Sequence, residues 1–144
     1  MKSEDLDSYS KPLIGLNLVS VEKKDHSWFF AFGEGDSIVT EGPWRLVSEE
    51  RIAVTSEDQG QQFGLPKPVN AAERALSCLT GRTVTGTGIT EFSGDLTVEF
   101  SGRVLLQFLQ ISCGYESWRL HIRGSETICT GGGDIAHFPA GQAT

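Results

Sequence analysis

Residues 96–108 read LTVEFSGRVLLQF, two apolar runs with a glycine turn between them. In residues 96–100 apolar and polar side chains alternate, which is the two-residue period of a strand that buries one face. A second apolar run follows at 104–109, and Ser101-Gly102 suits a two-residue hairpin turn. The stretch therefore predicts an antiparallel hairpin in a mainly β protein.

A row of large apolar side chains at every second position also occurs on both sides of this hairpin, at 28–32 and at 118–122. Val, Ile, Thr, Phe and Trp dominate these segments, and such side chains favour strands over helices. Their apolar rows should face the core. The residues predicted to be buried are Trp28, Phe30, Phe32, Leu96, Val98, Phe100, Trp118, Leu120 and Ile122.

These segments belong to a weak internal duplication. One copy opens with Leu13-Ile14-Gly15 and the other with Leu79-Thr80-Gly81, an offset of 66 residues. Both copies contain Trp-Arg-Leu, at 44–46 and at 118–120, where the offset has grown to 74. Each copy reads as a four-stranded antiparallel meander. Gly42-Pro43 interrupts the third strand of the first copy, where we expect a bend or an edge position. We predict repeat one at about 13–58 and repeat two at about 79–138, within a single domain of residues 1–144.

One helix is predicted between the two copies, at about 70–80. Asn70 can cap its first turn in a capping box with Glu73, and Gly81 can end it. Its apolar face would consist of Ala72, Leu76 and Leu79. Residues 135–138 would form a terminal turn or extend a sheet edge. The predicted order is ββββ-α-ββββ, and two four-stranded antiparallel sheets should pack face to face to cover their apolar sides.

Charge restricts the partners that this chain can have. Its 144 residues include 19 acidic and 12 basic side chains, for a net charge of −7. Nucleic acid and anionic membranes are held by clustered Lys and Arg, so neither is expected as a ligand, whereas a basic protein fits. The N-terminus lacks the apolar run of a signal peptide and the three cysteines show no CxxC spacing, so we expect a cytoplasmic protein with reduced thiols.

No motif in the sequence carries recognisable catalytic chemistry. His137 follows Cys129 by eight residues, a spacing that matches no common zinc site. Gly86-Thr87-Gly88 lacks the third glycine of a dinucleotide loop. Gly131–Gly133 lacks the Lys of a phosphate loop and reads as a flexible turn. We therefore expect no catalytic, metal-binding or cofactor-binding residue, and a protein that is not an enzyme.

Acidic residues are densest between residues 34 and 58, where seven stand against two basic residues. They are either ordinary solvated turn residues or a surface that meets a basic protein, for which clustered charge would speed association and set specificity. On the second interpretation the partner-binding residues, which we name the acidic segment, are Glu34, Asp36, Glu49, Glu50, Glu57 and Asp58.

The chain resembles a known family in five features: the Leu-x-Gly openings, the two Trp-Arg-Leu triplets, and the segments 93–97, 114–118 and 131–133. A small acidic chain that carries them resembles the immunity proteins of bacterial contact-dependent growth inhibition (CDI) systems. The resemblance implies tight stoichiometric binding that neutralises a co-encoded toxin, often a nuclease. The ββββ-α-ββββ order also resembles the Whirly fold of single-stranded nucleic-acid binders. Lys23-Lys24 is the only adjacent basic pair, so a Whirly-like fold is expected without its activity.

The leading prediction is an immunity protein, a monomer that forms a 1:1 complex with the basic nuclease domain of its toxin. Two alternatives stay open: a non-catalytic binding or regulatory module with an unknown partner, and an enzyme or Whirly-like nucleic-acid binder. A toxin gene beside this one would favour the immunity protein, whereas a basic groove or a pocket of converging acids would favour the enzyme or nucleic-acid binder. If the acidic segment is only solvated, the binding face should lie around Tyr115, Glu116 and His121.

Overall fold

A computed structural model describes the backbone of residues 3–141 and the side chains of residues 5–141. The described residues form two α-helices, α1 (Ser3–Ser10) and α2 (Ala71–Leu79), and eleven strands. The first five strands are β1 (Ser20–Lys24), β2 (Ser27–Gly33), β3 (Asp36–Thr40), β4 (Trp44–Ser48) and β5 (Arg51–Thr55). The other six are β6 (Val84–Ile89), β7 (Leu96–Phe100), β8 (Val104–Phe108), β9 (Trp118–Ile122), β10 (Ser125–Cys129) and β11 (Ile135–Phe138). Within this part of the chain, neither helix is long and apolar enough to cross a membrane.

All strands pair antiparallel with their neighbours and belong to two sheets. Sheet one has the order β1-β2-β3-β9-β10-β11, and sheet two has the order β5-β4-β8-β7-β6. The prediction of a mainly β protein with two antiparallel sheets is confirmed. The count of four strands in each sheet was wrong, because the sheets have six and five.

In the first half, the error in strand number comes from Gly42-Pro43. The pair does not bend one long strand; it separates β3 from β4 and takes the chain from sheet one to sheet two. Proline lacks the N–H that a sheet ladder needs. A Cβ on Gly42 would lie 2.8 Å from Ser117 Oγ, so the connection packs too closely for a side chain. The first half therefore has five strands. Six strands follow α2, where β8 and β9 are also separate and residues 135–138 add β11, so the predicted order ββββ-α-ββββ is corrected.

The two halves of the chain follow the same path and exchange strands between the sheets. In the first half β1–β3 form a meander in sheet one, and β4–β5 form a hairpin in sheet two. In the second half β6–β8 form a meander in sheet two, and β9–β10 form a hairpin in sheet one. Trp44 and Trp118 each begin the fourth strand of their half. Each sheet is shared between the halves, because β3 pairs with β9 and β4 pairs with β8.

The core lies between the sheets and contains every residue of the predicted apolar rows. Phe30 packs edge-on against Trp44, with ring centroids 5.2 Å apart, and against Phe108 at 5.0 Å. Trp28 packs edge-on against Trp44 at 5.1 Å. Such contacts suit the charge distribution of aromatic rings and add about 0.5–1.5 kcal/mol per pair to burial itself. The alternation in the strand sequences therefore identified the inward face correctly.

Helix α2 covers the flank between β1 and β5. Asn70 Oδ1 accepts a hydrogen bond from the Glu73 N–H at 3.0 Å, as the sequence predicts for its cap. The predicted apolar face is correct at Leu79, which is buried, but Ala72 and Leu76 are only half-buried, and Ala71 and Ala75 are the other buried residues. Two small alanines on the buried face let the helix approach the strands closely.

Helix α1 was not predicted, and it covers the flank between β6 and β11. Asp7 Oδ1 accepts a hydrogen bond from the Ile89 N–H of β6 at 2.9 Å. The Tyr9 ring stacks on His137 of β11, with centroids 4.0 Å apart, and burial lowers the pKa of this histidine below its usual value. The helix thus covers an edge strand of each sheet, where exposed backbone groups would otherwise invite pairing with another chain. Residues 135–138 extend a sheet edge, which was one of the two predicted possibilities.

The β7–β8 turn is one residue longer than predicted. Residues 101–103 connect the paired Phe100 and Val104, with left-handed backbone at Gly102 (φ +84°) and Arg103 (φ +62°). Arg82 Nη1 donates a hydrogen bond to the Ser101 carbonyl oxygen at 2.9 Å and holds this longer turn in place. The hydrogen bond comes from a residue outside the hairpin, so the local turn sequence could not reveal it.

Candidate protein-binding surfaces

The acidic segment divides among three places in the structure. Glu34 and Asp36 lie at the β2–β3 turn, Glu49 and Glu50 form the β4–β5 turn, and Glu57 and Asp58 lie in a short 3-10 turn after β5. The Glu49-Glu50 and Glu57-Asp58 pairs lie at opposite ends of β5. This strand has five residues and separates the two pairs by roughly 16 Å. The structure therefore does not bring all six carboxylates together.

Two carboxylates of the acidic segment hold backbone in place. Asp36 Oδ1 accepts a hydrogen bond from the Arg123 N–H at 3.0 Å, which ties the β2–β3 turn to the β9–β10 turn. Asp58 Oδ2 accepts one from the Thr55 N–H at 2.9 Å and completes a capping box. The four exposed members, which are best placed to meet the cations of a partner, are Glu34, Glu49, Glu50 and Glu57.

The Glu49-Glu50 turn has an unfavourable backbone conformation. Both residues are left-handed, with φ of +55° and +63°. A two-residue hairpin turn of this kind favours Asn-Gly, because most L side chains clash in the left-handed region. The β9–β10 turn, at the same position in the second half, has Arg123-Gly124 instead. Two glutamates are thus displayed at a conformational cost, which is typical of functional positions.

Three segments of the second half pack together into what we name the loop platform: residues 90–95, 109–117 and 130–134. Gly131–Gly133 lies between the other two loops. A Cβ on Gly131 would lie 2.5–2.7 Å from backbone atoms of Gly114, and one on Gly133 would overlap the carbonyl oxygens of Phe92 and Ser93. The interpretation of this glycine run as a flexible turn was wrong, because the glycines allow three backbones to pack in direct contact.

Gln110 links all three loops of the platform. Its Nε2 donates hydrogen bonds to the carbonyl oxygens of Tyr115 at 2.9 Å and Thr130 at 2.8 Å. Its backbone N–H donates to Asp95 Oδ1 at 2.9 Å. Trp118 Nε1, on β9 beneath the loops, donates to the Gly94 carbonyl oxygen at 2.8 Å. The platform is therefore fixed by hydrogen bonds to the sandwich and within itself.

The loop platform displays large apolar side chains among acidic ones. Phe92 is 88% exposed, Ile111 77% and Tyr115 81%. The three loops contain no Lys, Arg or His, and their carboxylates belong to Glu91, Asp95, Glu116 and Asp134. Exposed apolar groups that are surrounded by polar ones mark protein-interaction sites more often than isolated surface residues do.

Sequence reasoning missed the loop platform, although one signal was present. The offset between the two copies grows from 66 to 74 residues before the second Trp-Arg-Leu. Most of this growth is the β8–β9 loop, which has nine residues (109–117), whereas the corresponding β3–β4 connection has three (41–43). The signal locates extra loop residues but does not reveal which other loops they contact.

A charged cluster adjoins the platform on the outer face of sheet one. Arg119 Nη2 lies 2.8 Å from Glu116 Oε1, and His121 Nδ1 lies 3.6 Å from Glu126 Oε2. The hydrogen bond to Glu116 raises the pKa of the Arg119 guanidinium, outweighing its partial burial. Glu116 belongs to both the platform and this cluster, so the alternative face predicted around Tyr115, Glu116 and His121 continues the platform.

The described residues contain no group of three or more His, Cys, Asp or Glu side chains that could hold a metal ion. Cys113 is exposed, Cys78 is half-buried and Cys129 is buried, and all three are free thiols. Burial raises the pKa of Cys129 to about 11. Its thiol therefore stays protonated at neutral pH and is a poor nucleophile.

Comparison of this chain with protein-family models, with curated proteins and with solved structures finds no match. Its function must therefore be inferred from its own surfaces. The two that offer clear chemistry are the exposed carboxylates of the acidic segment and the apolar, acidic loop platform.

Proposed function

We propose that this chain binds a basic toxin protein encoded beside it and neutralises it, as CDI immunity proteins do. The observation that carries the proposal is the display of carboxylates on exposed turns, at Glu34, Glu49, Glu50 and Glu57, in a chain of net charge −7. A nuclease holds phosphates with Lys and Arg, and carboxylates that occupy such a cleft exclude the nucleic acid. The expected complex is 1:1, with the chain itself a monomer.

The six members of the acidic segment have unequal parts in this proposal. Exposed rim charges mainly accelerate encounter and respond to salt, while a carboxylate fully desolvated against Lys or Arg also slows dissociation. Asp36 and Asp58 accept backbone hydrogen bonds, so they support the turns and contribute less to contact. The display of Glu49 and Glu50 on left-handed backbone supports a role for their charge.

Co-expression tests this proposal directly. The protein encoded by the adjacent upstream gene is expressed with and without the tagged wild-type chain. We expect a 1:1 complex by size exclusion with light scattering, and cell growth restored by the chain. Loss of growth protection together with failure to co-purify would contradict the proposal.

Single-stranded DNA titration separates toxin binding from the alternative of a Whirly-like nucleic-acid binder. The acidic surface predicts no change in the fluorescence anisotropy of a labelled oligonucleotide at physiological salt. Saturable, salt-sensitive binding of the oligonucleotide would favour the alternative instead.

A further inference from the structure

The two halves of the molecule close the same strand path with loops of different length. The β1–β2 turn has two residues, whereas its counterpart between β6 and β7 has six. The β3–β4 connection has three, whereas its counterpart between β8 and β9 has nine. The short loops of the first half are sufficient to connect these strands. The additional residues of the second half therefore serve something other than closing the sandwich.

These additional residues are held in one arrangement. Besides the bonds of Gln110, Ser117 Oγ donates to the Leu109 carbonyl oxygen at 2.8 Å, and the Gly132 N–H donates to the Ser112 carbonyl oxygen at 2.8 Å. A surface that is ordered before binding loses less conformational entropy on association than a mobile loop does. The platform thus has the rigidity of a preformed binding surface.

Its chemistry selects the kind of partner. Phe92, Ile111 and Tyr115 offer apolar area, and aromatic anchors of this kind dominate binding energy at protein interfaces. The surrounding carboxylates complement Lys and Arg. A second copy of this chain would bring the same carboxylates face to face, because a two-fold interface pairs identical patches. The occupant that fits is a protein surface with apolar pockets bordered by basic residues.

We propose that the loop platform anchors the basic partner, with Phe92, Ile111 and Tyr115 in its apolar pockets and Glu91 and Asp134 beside its Lys and Arg side chains. This inference rests on the proposed function and assigns association and dissociation of the partner to different parts of the surface. The acidic segment steers the partner and sets the association rate, while the platform holds it and sets the dissociation rate.

Surface plasmon resonance with the co-encoded toxin domain tests whether the platform sets the dissociation rate. Phe92→Ala and Tyr115→Ala should each accelerate dissociation by about 30-fold or more and leave the association rate nearly unchanged. Phe63→Ala is the matched control, because Phe63 is also an exposed phenylalanine (67%) on left-handed backbone, in a loop outside the platform. Its dissociation rate should equal that of the wild type. Circular dichroism and thermal unfolding establish that each variant is folded.

Dissociation rates, together with sedimentation of the wild type and of Tyr115→Ala, distinguish the possible outcomes. If the wild type binds and both platform variants dissociate at the wild-type rate, the anchor is elsewhere and only this inference is overturned. If the wild type does not bind the toxin domain at all, the proposed function fails and the inference fails with it. If the wild type sediments as a dimer that Tyr115→Ala dissociates, the platform serves self-association, which also overturns the inference.

Discussion

At the scale of single residues, charge and backbone conformation conflict in the β4–β5 turn. Glu49 and Glu50 are both left-handed, where glycine or asparagine would be more favourable. Their side chains are exposed, so packing does not compensate. A chain selected for stability alone would use Asn-Gly here. The glutamates fit a chain that uses this turn to present two negative charges.

Replacing the pair with Asn-Gly should therefore separate stability from binding. We expect Glu49→Asn with Glu50→Gly to raise the free energy of unfolding by about 1–2 kcal/mol, because both new residues tolerate positive φ. The same variant should associate more slowly with a basic partner. Urea denaturation measures the first effect. A variant less stable than the wild type would contradict this account of the turn.

At the scale of elements, local sequence determines the strands but not their partners. The two-residue spacing of large apolar residues correctly predicted which side chains of β2, β7 and β9 face inward. Gly42-Pro43 predicts a bend or an edge position and not a change of sheet, because nothing local distinguishes a bent strand from a chain that leaves its sheet. Helix α1 was not predicted because its eight residues are mostly polar. Of the side chains described in it, only Leu6 is apolar and buried.

Burial of the apolar rows between the sheets leads to a prediction about the free energy of unfolding. Phe30 and Phe100 are fully buried, so Phe30→Ala or Phe100→Ala should lower the free energy of unfolding by about 3–5 kcal/mol through lost transfer energy and the cavity left behind. Phe92→Ala, at an exposed phenylalanine, should change it by less than about 1 kcal/mol. Reversible urea denaturation of the three variants provides the comparison. Equal losses at the buried and exposed positions would show that the strands are registered differently.

The candidate surfaces were predictable to different degrees. All six residues of the acidic segment lie between positions 34 and 58, so local composition is sufficient to identify them. Its division among three turns, and the backbone hydrogen bonds of Asp36 and Asp58, depend on tertiary structure. The loop platform unites residues up to about forty positions apart, such as Phe92 and Gly133, and sequence spacing does not reveal such contacts.

At the scale of the whole molecule, the net charge of −7 is distributed unevenly. The loop platform carries four carboxylates and no basic residue, and the acidic segment adds four exposed glutamates on turns of the first half. Clustered charge of one sign accelerates the encounter with an oppositely charged protein, and the effect weakens as salt screens it. The location of the carboxylates should therefore matter more than their total number.

The association rate of charge-reversed variants with the co-encoded toxin domain tests this claim most directly. One variant changes Glu34, Glu49, Glu50 and Glu57 to Lys, and a control changes four exposed acids elsewhere, Glu22, Asp25, Glu73 and Glu99, so that both alter net charge equally. At low salt the first variant should associate at least about tenfold more slowly than the control, and the difference should shrink as salt rises. Equal association rates for the two folded variants would contradict the claim that the charges on these turns steer the partner.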